Sequence, residues 1–206
     1  MDKRRLGRSD LHLSPVTLGA WAIGGSMWGG QEEADAVAAI QASLDAGVNC
    51  IDTAPVYGMG RSEEIVGRAL RGRRDGVIVA TKCGLAWDSP AGTHKFTMTD
   101  VDGSQHPIHN DLRPERIRQE CEDSLRRLGV DVIDLYQVHW PEPGRPVDEA
   151  VRELVQLRSA GKIRWIGVSN FSPAQLDSAR AIAGDALVST QPLYNVLDRG
   201  IESDVL

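Results

Sequence analysis

The chain has 206 residues, of which 41% are hydrophobic and 25% are charged, and its formal net charge is −6. This composition is typical of a folded domain with one sizeable core. The acidic balance and the absence of long Lys/Arg runs argue against a nucleic-acid-binding surface, and no stretch approaches the about 18 apolar residues of a membrane span.

The N-terminal segment and the cysteines indicate the cellular compartment in which the protein is found. The N-terminal segment MDKRRLGRSD is basic, but no apolar stretch follows it, so it does not resemble a signal peptide. Cys50, Cys83 and Cys121 lie far apart and form no C-x-x-C motif, as expected of free thiols in a reducing compartment. We therefore expect a cytoplasmic protein.

Strands and helices are predicted to alternate along the chain. Apolar residues at helical spacing, bounded by Gly or Pro, indicate the helices, and short β-branched runs indicate the strands. The chain opens with a predicted hairpin over 4–13 and an apolar run over 15–21. The predicted strands that follow cover 48–52, 76–82, 132–139, 163–170 and 186–191. The predicted helices between them cover 32–46, 62–71 with Ser62 as its cap, Pro114 to Gly129, a segment ended by Gly161, and a segment with a capping box at Ser172 and Gln175, and a last helix begins near Glu202.

Six such β–α units require parallel strands joined by right-handed crossovers. The candidate folds are a doubly wound sheet and a (β/α) barrel. A dinucleotide-binding doubly wound sheet should carry G-x-G-x-x-G after its first strand, but in LGAWAIGGSMWGG no helix begins in the required register. We therefore predict an α/β fold of the (β/α)8 TIM-barrel class, with about six βα units in this chain.

A complete barrel needs eight units and typically about 250 residues. The chain stops inside the predicted sixth helix, and six strands alone would leave two long apolar edges exposed. We expect residues 1–206 to form a single domain that is incomplete at its C-terminus. The alternative is a complete six-stranded fold.

A long connection, 83–112, follows a strand end, which in a barrel places it over the active face. A loop of this length is usually a lid, a binding loop or a disordered segment. It holds His94, His106 and His109, but their spacing fits no standard zinc pattern, so solvated loop histidines are favoured and no metal site is predicted.

Polar and aromatic residues gather at the predicted carboxyl ends of the strands. Because barrel active sites are built at this end, the set favours an active site, although any one member could be only a helix cap. The strand-end residues are Ala20 and Trp21, Asp52, Lys82, His139 and Trp140, Ser169 and Asn170, and Gln191.

The chemistry of this set is that of a general acid. Tyr57, in the loop after Asp52, has an ordinary pKa of about 10, and the ammonium of Lys82 would lower that pKa. Asp52 would keep Lys82 charged and oriented, and His139 could donate a hydrogen bond to a polarised oxygen. Cys83, beside Lys82, is either an oxidation-sensitive thiol or, as favoured here, a packing residue.

The motifs DTAPVYG (52–58), ATKCG (80–84), YQVHWP (136–141) and GVSNFS (167–172) together closely resemble the aldo-keto reductases. The resemblance covers essentially the whole chain. The segments WAIGGSMWGG and DLYQVHWPEP are most similar to the bacterial branch that contains general stress protein 69. The family fold is a (β/α)8 barrel, in agreement with the count of units.

The resemblance implies an NADPH-dependent reductase of small-molecule aldehydes or ketones. Tyr57 corresponds to the family's proton donor, Lys82 and Asp52 to the residues that tune it, and His139 to the residue that orients the carbonyl. The implied cofactor-binding residues are Ala20, Trp21, Asp52, Ser169, Asn170 and Gln191. The implied substrate-pocket residues are Trp21, Trp87 and Trp140, with aromatic packing as the alternative for the last two.

Other interpretations of the same family resemblance remain. A non-catalytic or redox-sensing regulatory subunit can keep the four catalytic residues, and a truncated fragment would be inactive. The choice of NADPH over NADH comes from the branch and not from residues in the chain. No nucleic-acid or membrane partner is expected, and the oligomeric state is left open.

Overall fold

Six parallel strands form the central sheet of the computed structural model, which describes all 206 residues. The strands of the chain are β1 Arg4–Arg5, β2 His12–Leu13, β3 Leu18–Gly19, β4 Cys50–Asp52, β5 Ile78–Cys83, β6 Leu85–Ala86, β7 Thr93–Thr99, β8 Gln105–Asn110, β9 Ile133–Val138, β10 Ile163–Ser169 and β11 Leu187–Gln191. The helices are α1 Glu33–Asp45, α2 Arg61–Ala69, α3 Pro114–Leu128, α4 Asp148–Ser159 and α5 Pro173–Ala183, with 3-10 turns at Ala22–Gly24, Gly184–Ala186 and Gly200–Ser203.

The order of strands in the central sheet is β3-β4-β5-β9-β10-β11, and every neighbouring pair is parallel. Each of the first five strands is followed by one of the five α-helices before the chain returns to the sheet. The two inner strands β5 and β9 are buried at every position, as expected of parallel strands covered on both faces. The predicted succession of six strands in one parallel sheet is therefore confirmed.

The helices cover the sheet with the faces that the apolar spacing predicts. In α3, Ile117, Cys121 and Leu128 are buried and belong to the main hydrophobic core. Pro114 occupies the first turn, and Gly129, with φ of +65°, ends the helix in the left-handed conformation.

One of the two predicted helix caps is confirmed and the other is wrong. Ser172 and Gln175 form the predicted capping box, in which Ser172 N donates to Gln175 Oε1 at 2.9 Å. Ser62, in contrast, lies inside α2 and is buried; its hydroxyl donates to the Ala20 carbonyl at 2.7 Å. The helix begins one residue earlier than predicted because the chain turns at Gly60, which has φ of +96°.

The connection over 83–112 is not an irregular loop. It forms a three-stranded antiparallel sheet in the order β6-β8-β7. Met98 and Ile108 are buried in a small apolar cluster beneath it, and Phe96 packs against that cluster. The hairpin thus has its own core, which a disordered loop would lack.

Two terminal predictions also need correction. The apolar run over 15–21 contributes only the two-residue strand β3, and the helix predicted near Glu202 is the 3-10 turn Gly200–Ser203. None of the helices combines the length and the apolar character that crossing a membrane requires.

Candidate active site

The carboxyl ends of the central strands bring the predicted polar residues to one edge of the sheet. Asp52 and Lys82 lie at the ends of β4 and β5, and His139 directly follows β9. Ser169 ends β10 and Gln191 ends β11. Because the strands are parallel, these positions share one face, as the barrel geometry requires.

Lys82 is the centre of this group, with a side chain that is only 2% exposed. Its ammonium donates to Asp52 Oδ2 at 2.7 Å, to the Thr53 carbonyl at 2.9 Å and to Tyr57 Oη at 3.3 Å. An ammonium has three N–H donors, so these three acceptors satisfy it completely. A buried lysine is stable in this form because its charge is paired and hydrogen-bonded.

The acidities of Lys82 and Tyr57 follow from this arrangement. Burial opposes the charge of Lys82, but Asp52 and Tyr57 outweigh it and raise the pKa of Lys82 above its ordinary value. Burial also raises the pKa of Tyr57, and the lowering effect of Lys82 does not overcome it. Lys82 therefore acts on the pKa of Tyr57 in the predicted direction, but burial has the larger effect.

Asp52 is held by two further side chains. Gln137 Nε2 donates to Asp52 Oδ1 at 3.2 Å, and Gln191 Nε2 donates to Asp52 Oδ2 at 3.3 Å. Gln137 was not predicted as a site residue. A signal for it exists, because Gln137 is an amide inside the fully buried strand β9, and a buried amide needs hydrogen-bond partners.

His139 lies against Tyr57, with ring centroids 5.7 Å apart and ring planes at 83°. Burial, together with the positive charges of Lys82 and Lys95, holds the pKa of His139 well below 6.5. The imidazole is therefore neutral at pH 7, with one N–H donor and one acceptor nitrogen. The His139 backbone N–H donates to the Cys83 carbonyl at 2.9 Å, which fixes the residue at the end of its strand.

Hydroxyl and amide groups continue this edge toward β11. Asn170 Nδ2 donates to the His139 carbonyl at 3.0 Å and to Ser169 Oγ at 2.9 Å, and Ser169 Oγ donates to the Gln191 carbonyl at 2.6 Å. Asn170 has φ of +61°, a left-handed conformation that asparagine tolerates better than most residues. These groups both donate and accept hydrogen bonds, which is the complement of a carboxamide.

The residues that follow β3, Ala20 and Trp21, contact Asp52 and Tyr57 on the side away from β9. The Ala20 N–H donates to the Asp52 carbonyl at 2.8 Å, and Ala20 is fully buried. The Trp21 ring stacks on Tyr57, with centroids 6.1 Å apart and planes at 27°. Trp21 therefore presents an aromatic surface directly beside the phenol.

A cavity of about 590 Å³ opens in front of Tyr57 and His139. Its walls are mostly apolar, and the hairpin β7–β8 contributes a large part of them through residues that the sequence analysis did not identify. The lining side chains include Trp21, Met27, Val56, Leu85, Lys95, Phe96, Met98 and Trp140.

Trp87, predicted as a pocket wall, does not line this cavity. It packs against the apolar cluster under the hairpin, and the Arg127 guanidinium lies 5.9 Å from its ring centroid. Trp87 follows β6, so its chain direction differs from that of the strand-end residues. The aromatic-packing alternative therefore describes its position.

The loop histidines and the thiol beside Lys82 lie outside this arrangement. His94 and His109 face each other across the hairpin, with ring centroids 5.4 Å apart. Cys83 is buried, and burial raises its pKa well above that of an ordinary thiol. The protonated form of Cys83 is favoured, which agrees with the packing interpretation.

With this geometry established, comparison with known proteins identifies the family. Residues 15–206 match the model of the Aldo/keto reductase family, so the chain belongs to that family. The chain is 44% identical over 208 residues to the aldo-keto reductase YhdN of Bacillus subtilis, covering 100% of the chain and 57% of that relative. It is 40% identical over 214 residues to the NADH-specific methylglyoxal reductase of Escherichia coli, covering 100% of the chain and 63% of that relative.

Solved structures agree with this assignment. The glycerol dehydrogenase AKR11B4 from Gluconobacter oxydans superposes with a TM-score of 0.85 and 50% identity over 100% of this chain and 59% of that chain. An aldo/keto reductase from Klebsiella pneumoniae, solved with NADP and acetate, has a TM-score of 0.75 and 32% identity over 99% of this chain and 62% of that chain.

The TIM-barrel fold class and the bacterial type of aldo-keto reductase are thereby confirmed. The chain spans between 57% and 63% of the length of these four relatives.

Proposed function

We propose that the chain carries the catalytic groups of an NADPH-dependent reductase that converts aldehydes or ketones to alcohols. The observation that supports this most directly is the Lys82 ammonium, which contacts Asp52 and Tyr57 Oη at the same time. This places a charge-tuned phenol at the mouth of an apolar cavity. A proton donor next to a substrate-sized cavity is the arrangement that carbonyl reduction needs.

In this proposal Tyr57 transfers its proton to the carbonyl oxygen as that oxygen gains negative charge. Lys82, 3.3 Å from Tyr57 Oη, stabilises the phenolate that remains. The neutral imidazole of His139 donates an N–H hydrogen bond to the same carbonyl oxygen and orients it toward Tyr57. Asp52 keeps Lys82 charged throughout.

The strand-end residues fit a nicotinamide. Ser169, Asn170 and Gln191 present hydroxyl and amide groups that match a carboxamide, and Trp21 presents an aromatic face beside Tyr57. Ala20 is a small, buried residue at the end of the neighbouring strand β3, directly before Trp21. A reduced nicotinamide, when bound there, would supply the hydride that the carbonyl carbon accepts.

The preference for NADPH is the finer part of the proposal. The Klebsiella pneumoniae structure was solved with NADP, whereas the Escherichia coli relative is NADH-specific. The relatives therefore support a nicotinamide cofactor in general and differ in the form that they use. Parallel assays with NADPH and NADH decide between the two forms.

The test is a turnover assay of the full-length protein with NADPH and 4-nitrobenzaldehyde or methylglyoxal, followed by the absorbance of NADPH. Tyr57→Phe removes the phenolic hydroxyl and should lower kcat by about 10²- to 10⁴-fold, the usual contribution of a general acid. The matched control is Tyr194→Phe, which removes an exposed phenol that bonds only to Glu202. It should leave kcat unchanged.

A regulatory, non-catalytic role is the competing interpretation, and the same assay separates the two. If the full-length protein binds NADPH but does not oxidise it with any carbonyl compound, and Tyr57→Phe changes nothing, the enzyme proposal is wrong. Binding is measured by the quenching of tryptophan fluorescence, which Trp21 beside the site should report.

A further inference from the structure

Lys95 is a cation in an otherwise largely apolar cavity. It lies on β7, and its side chain lines the cavity together with Trp21, Phe96 and Trp140. The Lys95 Nζ atom is 3.8 Å from the centroid of the Trp140 ring. This cation–π contact holds the ammonium over the aromatic wall.

Lys95 differs from Lys82 and Lys162 in having no acidic partner. Lys82 is paired with Asp52, and Lys162 with Glu122. For Lys95 burial alone lowers the pKa, without the opposing effect of a carboxylate or a hydrogen bond. Half-burying an ammonium without a counter-charge is unfavourable, so the site is poised to gain from an anion.

The positive charge of Lys95 acts on His139, which lies against Tyr57. Lys95 is among the groups that lower the pKa of His139, and both residues line the same cavity as Tyr57. An anionic group bound at Lys95 would therefore belong to the molecule whose carbonyl lies at Tyr57. The N–H donors of Lys95 are unused by protein acceptors, so they are available to that group.

We propose that Lys95 is a specificity-determining residue that binds the carboxylate of an aldehyde or ketone substrate with an apolar body. This inference rests on the proposed function, because it names the substrate class of the same site. The aromatic walls suit a flat or hydrocarbon body between the carbonyl and the carboxylate. A carboxylate fits better than a phosphate, since a dianion would leave one charge uncompensated among apolar walls.

The test compares two aldehydes of nearly equal shape, 4-carboxybenzaldehyde and the neutral 4-formylbenzamide, with the full-length protein and NADPH. The wild-type protein should prefer the carboxylate by about tenfold in kcat/KM, the effect of one charge-assisted hydrogen bond, and mainly through KM. Lys95→Met should abolish the preference, so that the ratio of the two kcat/KM values falls to about one. Lys95→Arg should retain the preference.

The matched control is Lys3→Met, which removes an exposed lysine from the N-terminal segment, away from the cavity. It should leave the preference of the wild type unchanged. If Lys95→Met shows the same ratio of kcat/KM values as the wild type, or if the wild type shows no preference, the inference is overturned while the reductase activity stands.

A binding measurement keeps the inference testable if neither aldehyde is turned over. Calorimetric titration with 4-(hydroxymethyl)benzoate and with 4-(hydroxymethyl)benzamide reports recognition of the anion without chemistry. Tighter binding of the benzoate by the wild type than by Lys95→Met supports the role of Lys95 even where the proposed reduction fails. Equal binding of the benzoate by the two proteins rejects it.

Discussion

Gln137 donates a hydrogen bond of 3.2 Å to Asp52 Oδ1, the carboxylate oxygen that Lys82 does not contact. The two oxygens of Asp52 are thereby held from different strands, β9 and β5. Asp52 is thus fixed in orientation as well as paired in charge. The hydrogen bond of 2.7 Å from Lys82 Nζ to Asp52 Oδ2 then fixes the position of the Lys82 ammonium. Under the proposed function, we infer that Gln137 positions the proton donor Tyr57 through Asp52 and Lys82, although it makes a hydrogen bond to neither Lys82 nor Tyr57.

Gln137→Leu should therefore lower kcat by about tenfold, since losing a hydrogen bond to a charged group costs about 1.5 kcal/mol. Leucine preserves most of the buried volume, so the change should act on the orientation of Asp52 more than on packing. The measurement is kcat in the reductive direction, with urea unfolding to follow stability. The matched control is Gln156→Leu on the exposed side of α4; a similar loss of kcat in both variants would contradict the positioning role.

Lys82→Met should move the alkaline limb of the pH–rate profile to higher pH. In the proposed mechanism, reduction requires protonated Tyr57, so the rate should be lost as the pH rises through the pKa of Tyr57. Lys82 lowers the pKa of Tyr57, so its removal raises that pKa further. The rate at neutral pH should also fall, because the phenol becomes a weaker acid and the phenolate loses its cation.

The profile is measured as kcat over the accessible alkaline range, and Lys162→Met, which removes a lysine paired with Glu122, is the control. Where kcat is too small, the ultraviolet difference titration of Lys82→Met against Lys82→Met/Tyr57→Phe reports the ionisation of Tyr57 directly. An alkaline limb that stays in place, or that moves to lower pH, would show that Lys82 does not tune Tyr57.

Glu120 should make the stability of the protein fall as the pH rises from about 4.5 to about 7. Burial raises its pKa from 4.5 to about 7, despite the opposing effects of Arg116 and the Gly84 N–H. The folded chain binds the proton more tightly than the unfolded chain, so this contribution is complete below pH 4.5 and is lost as the pH passes 7. Its full size is about 3 kcal/mol.

Glu120→Gln should flatten this part of the pH dependence, because glutamine does not titrate and still offers an oxygen to the Gly84 N–H. The free energy of unfolding in urea at pH 5 and pH 8 measures the effect. Glu115→Gln, an exposed carboxylate on the same helix, serves as control. Equal pH dependence in the wild type and Glu120→Gln would exclude this origin.

Gly58→Ala should both destabilise the protein and lower kcat. Gly58 has φ of +62°, and a Cβ atom there would overlap the backbone of Gly24, against which the Tyr57 loop is packed. Gly72 has φ of +72° but open space around its Cβ position, so Gly72→Ala isolates the cost of the left-handed backbone. We expect about 1 kcal/mol for Gly72→Ala and at least about 3 kcal/mol for Gly58→Ala.

Urea unfolding and kcat of the two alanine variants test this. The clash should displace the Tyr57 phenol, so kcat should fall in Gly58→Ala and stay at the wild-type value in Gly72→Ala. Equal losses of stability in the two variants would mean that the contact between the loops is not restrictive.

The parts of the fold that were predictable are those determined by local patterns. The capping box at Ser172 and Gln175 and the stop at Gly129 depend on neighbouring residues only, and both are present. The meeting of Asp52 and Lys82 follows from topology, since the ends of neighbouring parallel strands must lie side by side.

The parts that were missed depend on contacts between distant segments. Ser62 reads as a helix cap, but its hydroxyl bonds to Ala20, 42 residues away in sequence. The strand that contains Lys95 was not predicted, because only Phe96 and Met98 alternate with polar residues in THKFTMT, and two apolar positions are too short a pattern to indicate a strand. The sequence alone did not show which of Trp87 and Trp140 lines the cavity, because both are aromatic residues after a predicted strand. The path of the chain through the hairpin places Trp140 in the cavity wall and Trp87 outside it.

The candidate site is built from two separate sheets, the central parallel sheet and the antiparallel sheet that contains the hairpin β7–β8. The groups proposed to react lie at or after the ends of strands of the central sheet, while Lys95, Phe96 and Met98 belong to β7, in a separate sheet formed by β6, β8 and β7. Under the proposed function, we expect an exchange of residues 93–110 between family members to change the choice of substrate and to leave the proton donor Tyr57 unaltered. A barrel of this kind can diversify by replacing one ribbon of about 20 residues, because loop segments tolerate variation better than the scaffold that carries them.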